Sequence, residues 1–124
     1  MEKKIIMSDK LPAAGPYSTA VEAGSFIFIS GQLPLNPATG EVIVDIKAAT
    51  RQAINNLQII LGECGLTLEH IVKTTIFLKN IEDFAVVNEI YAGFFSAKAP
   101  ARSTIAAAAL PKDAPLEIEA IAMR

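Results

Sequence analysis

The chain has 124 residues, 52% of them hydrophobic, and a formal charge of −2. That is the size of a single domain, with more apolar residues than one small core absorbs, so it suggests surface hidden against other copies. The longest apolar run, residues 105–110, is far too short to span a membrane, and Met1 to Met7 lacks the pattern of a secretory leader, which points to a cytoplasmic protein.

The first strand is expected around Ile5 and Ile6. Residues 26–30 are aromatic and β-branched between Gly24 and Gly31, and predict a second. Residues 33–40 carry two prolines and end in Thr39-Gly40, which predicts a loop; residues 41–44 follow as a short third strand. Asp45 is placed to cap a helix in which Ile46, Ala49, Ala53, Ile54, Leu57, Ile60, Leu61 and Cys64 recur at helical spacing, with Gly65 as its stop. Residues 71–79 are rich in strand formers. Glu82 or Asp83 opens a second helix with Phe84, Val87, Tyr91, Phe94 and Phe95 on one side, closed by Pro100. Residues 102–109 form a strand of weak propensity, 110–115 a turn, and 116–123 a strand with Leu116 and Ile118 on one face and Glu117 and Glu119 on the other.

The order β-β-β-α-β-α-β-β, with hairpins at both ends, predicts one α+β domain covering residues 1–124, with two helices on one face of a mixed sheet. No further helices remain to cover the other face. Oligomerisation through that face answers both the missing layer and the apolar composition.

The residue counts narrow the chemistry. One cysteine, Cys64, allows no internal disulfide, and with one histidine, His70, it cannot build a finger-type zinc site. No nucleophile motif surrounds His70. A pI near 5.4 with no basic run gives no footprint for nucleic acid. Arg102, at the start of a strand in apolar surroundings, either clamps a carboxylate ligand or forms a structural salt bridge. Glu117 and Glu119 are either a base with a partner acid or a solvated strand face. Tyr17, in Gly15-Pro16-Tyr17-Ser18, presents a phenol to a site or packs on a sheet edge. Ser30-Gly31-Gln32 is a plain strand exit or a bulge where a ligand meets the backbone. Asn88 ties the second helix to a loop.

These segments, taken in order, resemble a known family. They are Gly15-Pro16-Tyr17-Ser18, Ser30-Gly31-Gln32 with the Pro-rich loop to Gly40, residues 72–78, Asn88-Glu89-Ile90-Tyr91, Pro100-Ala101-Arg102-Ser103, Leu110-Pro111-Lys112-Asp113 and Ile118-Glu119-Ala120-Ile121. Their combination is similar to the reactive intermediate deaminase family (RidA, the YjgF-like proteins) over essentially the whole chain. The resemblance implies a chorismate-mutase-like fold and a homotrimer whose sheets line a central barrel, with ligand clefts between subunits. It implies hydrolysis of 2-imino acids to 2-oxo acids and ammonia, without cofactor or metal.

Carried over by position, the family's roles would make Arg102 the carboxylate binder and Glu117 the holder of the attacking water. Tyr17 and Ser30 would line the cleft, the Gly31 backbone would approach the ligand, and Asn88 would give structural support. Thr104 stands where many members have Cys, although its backbone carbonyl could still accept a hydrogen bond from the imine. Ala106 stands where Glu is frequent. Those departures keep a second reading open, a regulator that binds small 2-oxo acids without turnover. A third, a nuclease or translation inhibitor as attributed to some relatives, conflicts with the acidic pI.

Overall fold

A computed structural model describes residues 2–124. Six strands form one mixed sheet: β1 (Lys4–Ile6), β2 (Ala20–Ala23), β3 (Phe26–Gln32), β4 (Ile71–Leu78), β5 (Ala101–Ala106) and β6 (Leu116–Met123), in the spatial order β1-β2-β3-β6-β4-β5. Helix α1 (Ile46–Glu63) packs on β3 and β6, and α2 (Phe84–Phe94) packs beside it. Both helices lie on one face, as the α+β reading expects. No helix among the described residues is long and apolar enough to cross a membrane.

Three expectations are corrected. Residues 41–44 add no strand to the sheet. They fold back on the Pro-rich loop through one bridge, Leu35 with Val42, and the Ile43 N–H donates to the Pro34 carbonyl at 2.9 Å. The missing strand is β2, whose alanines give little strand signal. An N-terminal hairpin is present, but it joins the unexpected β2 to β3 around Gly24 at φ 60° rather than the strands expected. The C-terminal one does not. β5 runs parallel to β4 after the α2 crossover, and β6 inserts between β3 and β4, antiparallel to both. An edge β5 explains how the alanine-rich segment survives as a strand, since it needs only one partner and ends at Ala106.

Helix α1 begins as its sequence demands. The Asp45 carboxylate accepts from the Ala48 N–H at 3.0 Å. It ends on Gly65 at φ 73°, where the Leu66 N–H reaches the Leu61 carbonyl at 2.8 Å and the Gly65 N–H reaches Gly62 at 3.1 Å. The apolar stripe, including Ile54, Leu57, Ile60 and Leu61, is fully buried against Ile27, Ile76, Leu116 and Ile118 of the sheet. Each such side chain contributes roughly 1.5–3 kcal/mol by leaving water.

Strand alternation divides the remaining residues. On β4, Thr74, Ile76 and Leu78 are buried toward the helices; Thr75 and Phe77 point to the open face. The open face also carries Phe28 and Ile105, 46% and 50% exposed.

Candidate active site

The site begins at an irregularity in β3. Ile29 pairs with Ala120, but Gln32 pairs with Ile118, so the β3 segment between them holds one residue more than β6. This is a β-bulge at Ser30 and Gly31, which bends the strand and interrupts the ladder. The bulge is held from behind. The Ser30 hydroxyl donates to the Ser18 carbonyl at 2.6 Å and its N–H to the Thr19 carbonyl at 3.0 Å. Ser30 thus ties the turn of residues 15–18 to the sheet.

In front of the bulge lies a cleft of about 460 Å³. Tyr17, Gly31 and Glu117 line it, with Leu11, Leu33 and Leu35 as apolar wall. Tyr17 is 54% exposed, and its phenol oxygen accepts from the Ala14 N–H at 3.3 Å. The Glu117 side chain lies so close to Gly31 that a side chain at position 31 would displace it. Burial pushes the Glu117 carboxyl above its ordinary range, and the negative charge of Glu119, two residues along the same face, raises it further. A carboxyl group in this position retains or accepts a proton more readily than a solvated one.

Arg102 is elsewhere. It pairs with Thr74 across the β4–β5 ladder, whereas Glu117 pairs with Phe77. Thr74 and Phe77 are three residues apart on one strand, so Arg102 and Glu117 face opposite sides of the sheet. The guanidinium lies over the rings of Tyr91 and Phe84 of α2, at 4.9 Å and 5.8 Å from their centroids. Among the described residues it forms no salt bridge and no side-chain hydrogen bond. The structural salt bridge considered from the sequence is therefore absent among the described residues. Thr104 lies on the same face of β5, and its hydroxyl oxygen is buried without a hydrogen-bond partner. Asn88 is half-buried on α2, and no side-chain hydrogen bond joins it to a loop within the described residues. A helix-to-loop tie is made instead from α1, by Asn56, which the sequence reading passed over. Its amide donates to the Leu33 and Leu35 carbonyls at 3.1 and 2.9 Å and accepts from Gln52 at 2.8 Å. Its position between apolar residues of α1, next to a loop rich in proline, was the available signal.

One chain thus brings together Tyr17, Gly31 and Glu117, with Ser30 behind them. It does not bring Arg102 or Thr104 to them. Among the described residues, no three His, Cys, Asp or Glu side chains are grouped to hold a metal ion.

Residues 7–124 match the family described as Endoribonuclease L-PSP. The chain belongs to this family. The crystal structure of the YjgF gene product from Escherichia coli, whose likeness the motifs suggested, superposes with a TM-score of 0.92 at 48% identity, covering 98% of each chain. The structure of Escherichia coli TdcF with bound serine superposes with a TM-score of 0.92 at 44% identity, again covering 98% of each chain. Among curated relatives, the Escherichia coli protein named 2-iminobutanoate/2-iminopropanoate deaminase is 49% identical over 125 residues, 98% of each chain.

Proposed function

We propose that this chain hydrolyses small 2-imino acids to 2-oxo acids and ammonia, in clefts formed between copies of a homotrimer. The observation that carries this reading is Glu117, a half-buried carboxyl of raised proton affinity facing a cleft beside a glycine backbone. The relative named 2-iminobutanoate/2-iminopropanoate deaminase supports the reaction class. The serine-bound neighbour supports a small ligand carrying a carboxylate.

The chemistry demands little. A protonated imine is already a strong electrophile, so holding it beside an oriented water is most of the task. In the proposed sequence, Glu117 accepts a proton from water as the water oxygen bonds to C2 of the iminium. The resulting carbinolamine takes that proton on nitrogen. The C–N bond then breaks as Glu117, ionised again, takes the hydroxyl proton, so that ammonia leaves and C2 becomes the carbonyl of the 2-oxo acid. Arg102 grips the substrate carboxylate through two parallel hydrogen bonds. Tyr17 closes one side, and Gly31 lets the ligand approach the backbone. Thr104 borders the Arg102 side of the cleft, and Asn88 supports the helix behind it.

Because Arg102 and Glu117 face opposite sides of one sheet, the reading requires that one copy contribute Glu117 and a neighbour contribute Arg102. In the proposed trimer the open faces pack together, burying Phe28 and Ile105 around a central barrel, and the edge strand β5 with its Arg102 lies beside a neighbour's cleft. The cytoplasm, where amino-acid metabolism generates imines, is the compartment that fits this role. The family's printed name refers to ribonuclease activity, yet a chain of net charge −2 offers a polyanion little attraction.

The test couples the protein to a threonine dehydratase. The protein should accelerate release of 2-oxobutyrate and ammonia, and Arg102→Ala should abolish the gain while remaining folded. Equal rates with and without the protein, or with the variant, would overturn the proposal.

A further inference from the structure

Arg102 raises a physical question that the proposed reaction leaves open. A long cationic side chain on an edge strand needs something to hold it, and the usual device is a carboxylate. No carboxylate of the described residues reaches it. What it meets instead is the face of Tyr91 at 4.9 Å and, more distantly, that of Phe84 at 5.8 Å.

Tyr91 is itself fixed with unusual care. It is 5% exposed, and its ring stacks on Phe95 with centroids 4.4 Å apart and planes at 33°. Its hydroxyl shares a hydrogen bond of 2.8 Å with Oγ1 of Thr74, which is fully buried. Thr74 is the residue directly across the ladder from Arg102. Three contacts therefore close a loop: backbone pairing joins Arg102 to Thr74, a hydrogen bond joins Thr74 to Tyr91, and the aromatic face returns to Arg102. Valine would fill the space at position 74 as well for packing alone; the hydroxyl is explained by its bond to the phenol.

We infer that Tyr91 is a positioning residue for Arg102: its ring, anchored by Thr74, holds the guanidinium by its flat side and leaves the hydrogen-bonding edge free for a substrate carboxylate. An aromatic face attracts the cation without using its N–H groups. A protein carboxylate would hold it too, but would occupy the same fork that the ligand needs. Phe84 serves as a second, weaker wall.

This inference rests on the proposed imino-acid site, so its test separates the two. Binding of 2-oxobutyrate, a stable carboxylate ligand, is measured by titration calorimetry alongside KM and kcat in the coupled assay. Tyr91→Leu should weaken 2-oxobutyrate binding and raise KM by about tenfold, while Tyr91→Phe, which keeps the face, stays within about threefold of wild type. In an Arg102→Ala background, Tyr91→Leu should cause no further loss. Phe84→Leu, at a surface position that folding tolerates, should raise KM by about threefold with kcat nearly unchanged; it decides the matter if Tyr91→Leu does not fold. Unchanged KM in Phe84→Leu together with wild-type binding in Tyr91→Leu, or a Tyr91→Leu loss that persists at full size without Arg102, overturns the inference. Wild type that binds 2-oxobutyrate through Arg102 but does not turn imines over removes the deaminase reading and leaves the Tyr91 series to decide this one. Binding indifferent to Arg102 overturns both.

Discussion

The Glu117 carboxylate occupies the space that a side chain at Gly31 would need. A methyl group at position 31 would stand 2.7 Å from its Oε2, 2.8 Å from Cδ and 3.0 Å from Cγ. Glycine at the bulge therefore sets where the proposed base sits.

Gly31→Ala follows directly. The carboxylate is the end of a flexible side chain, so it can swing aside at modest cost in stability, but it then leaves its position in the cleft. The expected outcome is a loss of deaminase activity of about tenfold or more, with a melting temperature lowered by only a few degrees. Differential scanning calorimetry and the coupled assay, run on the same preparation, check both halves.

The raised proton affinity of Glu117 has two consequences for pH. As a base it must be ionised, so activity should climb with pH through a midpoint above the ordinary carboxylate value of 4.5. Stability should move the other way. Between 4.5 and the higher folded value, the folded protein keeps a proton that the unfolded chain releases. The stabilising contribution is complete below 4.5 and is lost as pH rises through the folded value. Glu117→Gln should therefore gain stability relative to wild type as pH increases, in urea titrations across that range. Glu119→Gln removes the second cause of the shift and should move the activity midpoint down.

Opposite-face placement of Arg102 and Glu117 predicts complementation. Arg102→Ala and Glu117→Gln should each be inactive alone. Mixed, unfolded and refolded together, they should regain a fraction of wild-type activity, because some interfaces pair an intact Arg102 with an intact Glu117. Mixtures that stay inactive would show that both groups act from one copy.

Asn56 carries a structural prediction. Its amide satisfies two loop carbonyls from a fully buried position. Asn56→Ala leaves the Leu35 carbonyl without a partner and the Leu33 carbonyl with only the Leu35 N–H, and should cost about 1–3 kcal/mol, measured by urea unfolding. The loop it holds includes Leu33 and Leu35 of the cleft wall, so KM should rise as well.

Much of this was legible before any coordinates. The helix at residues 46–63 announces itself by its stripe, its Asp45 cap and its Gly65 stop, all of which are local signals. The alternation of Glu117 and Glu119 against Leu116 and Ile118 is equally local, and β6 keeps it. What escaped was decided at a distance. The strand-like residues 41–44 lost their place in the sheet to β2, a segment with weaker propensity but an available partner on each side. The parallel placement of β5 depends on the α2 crossover, which nothing within residues 101–106 encodes. Site residues were found as types and motifs. Their division between two faces became visible only through the β4 register, and the support of Arg102 by Tyr91 was hidden because an aromatic residue on an apolar helix side reads as core.

The position of β6 has a consequence for how the molecule comes into being. It lies between β3 and β4, yet Phe26 of β3 meets Met123 across more than three quarters of the chain. During synthesis, β1 to β3 and the β4–α2–β5 unit emerge as two separate pieces, each with a bare strand edge turned toward the gap between them. Nothing can zip them together until β6 arrives. Folding is thus held to a late, long-range step, and the nascent chain carries the open β3 edge, later joined by that of β4, until β6 is made. A chain interrupted before residue 116 would lose its seam and part of the core under α1, exposing pairing edges that invite aggregation.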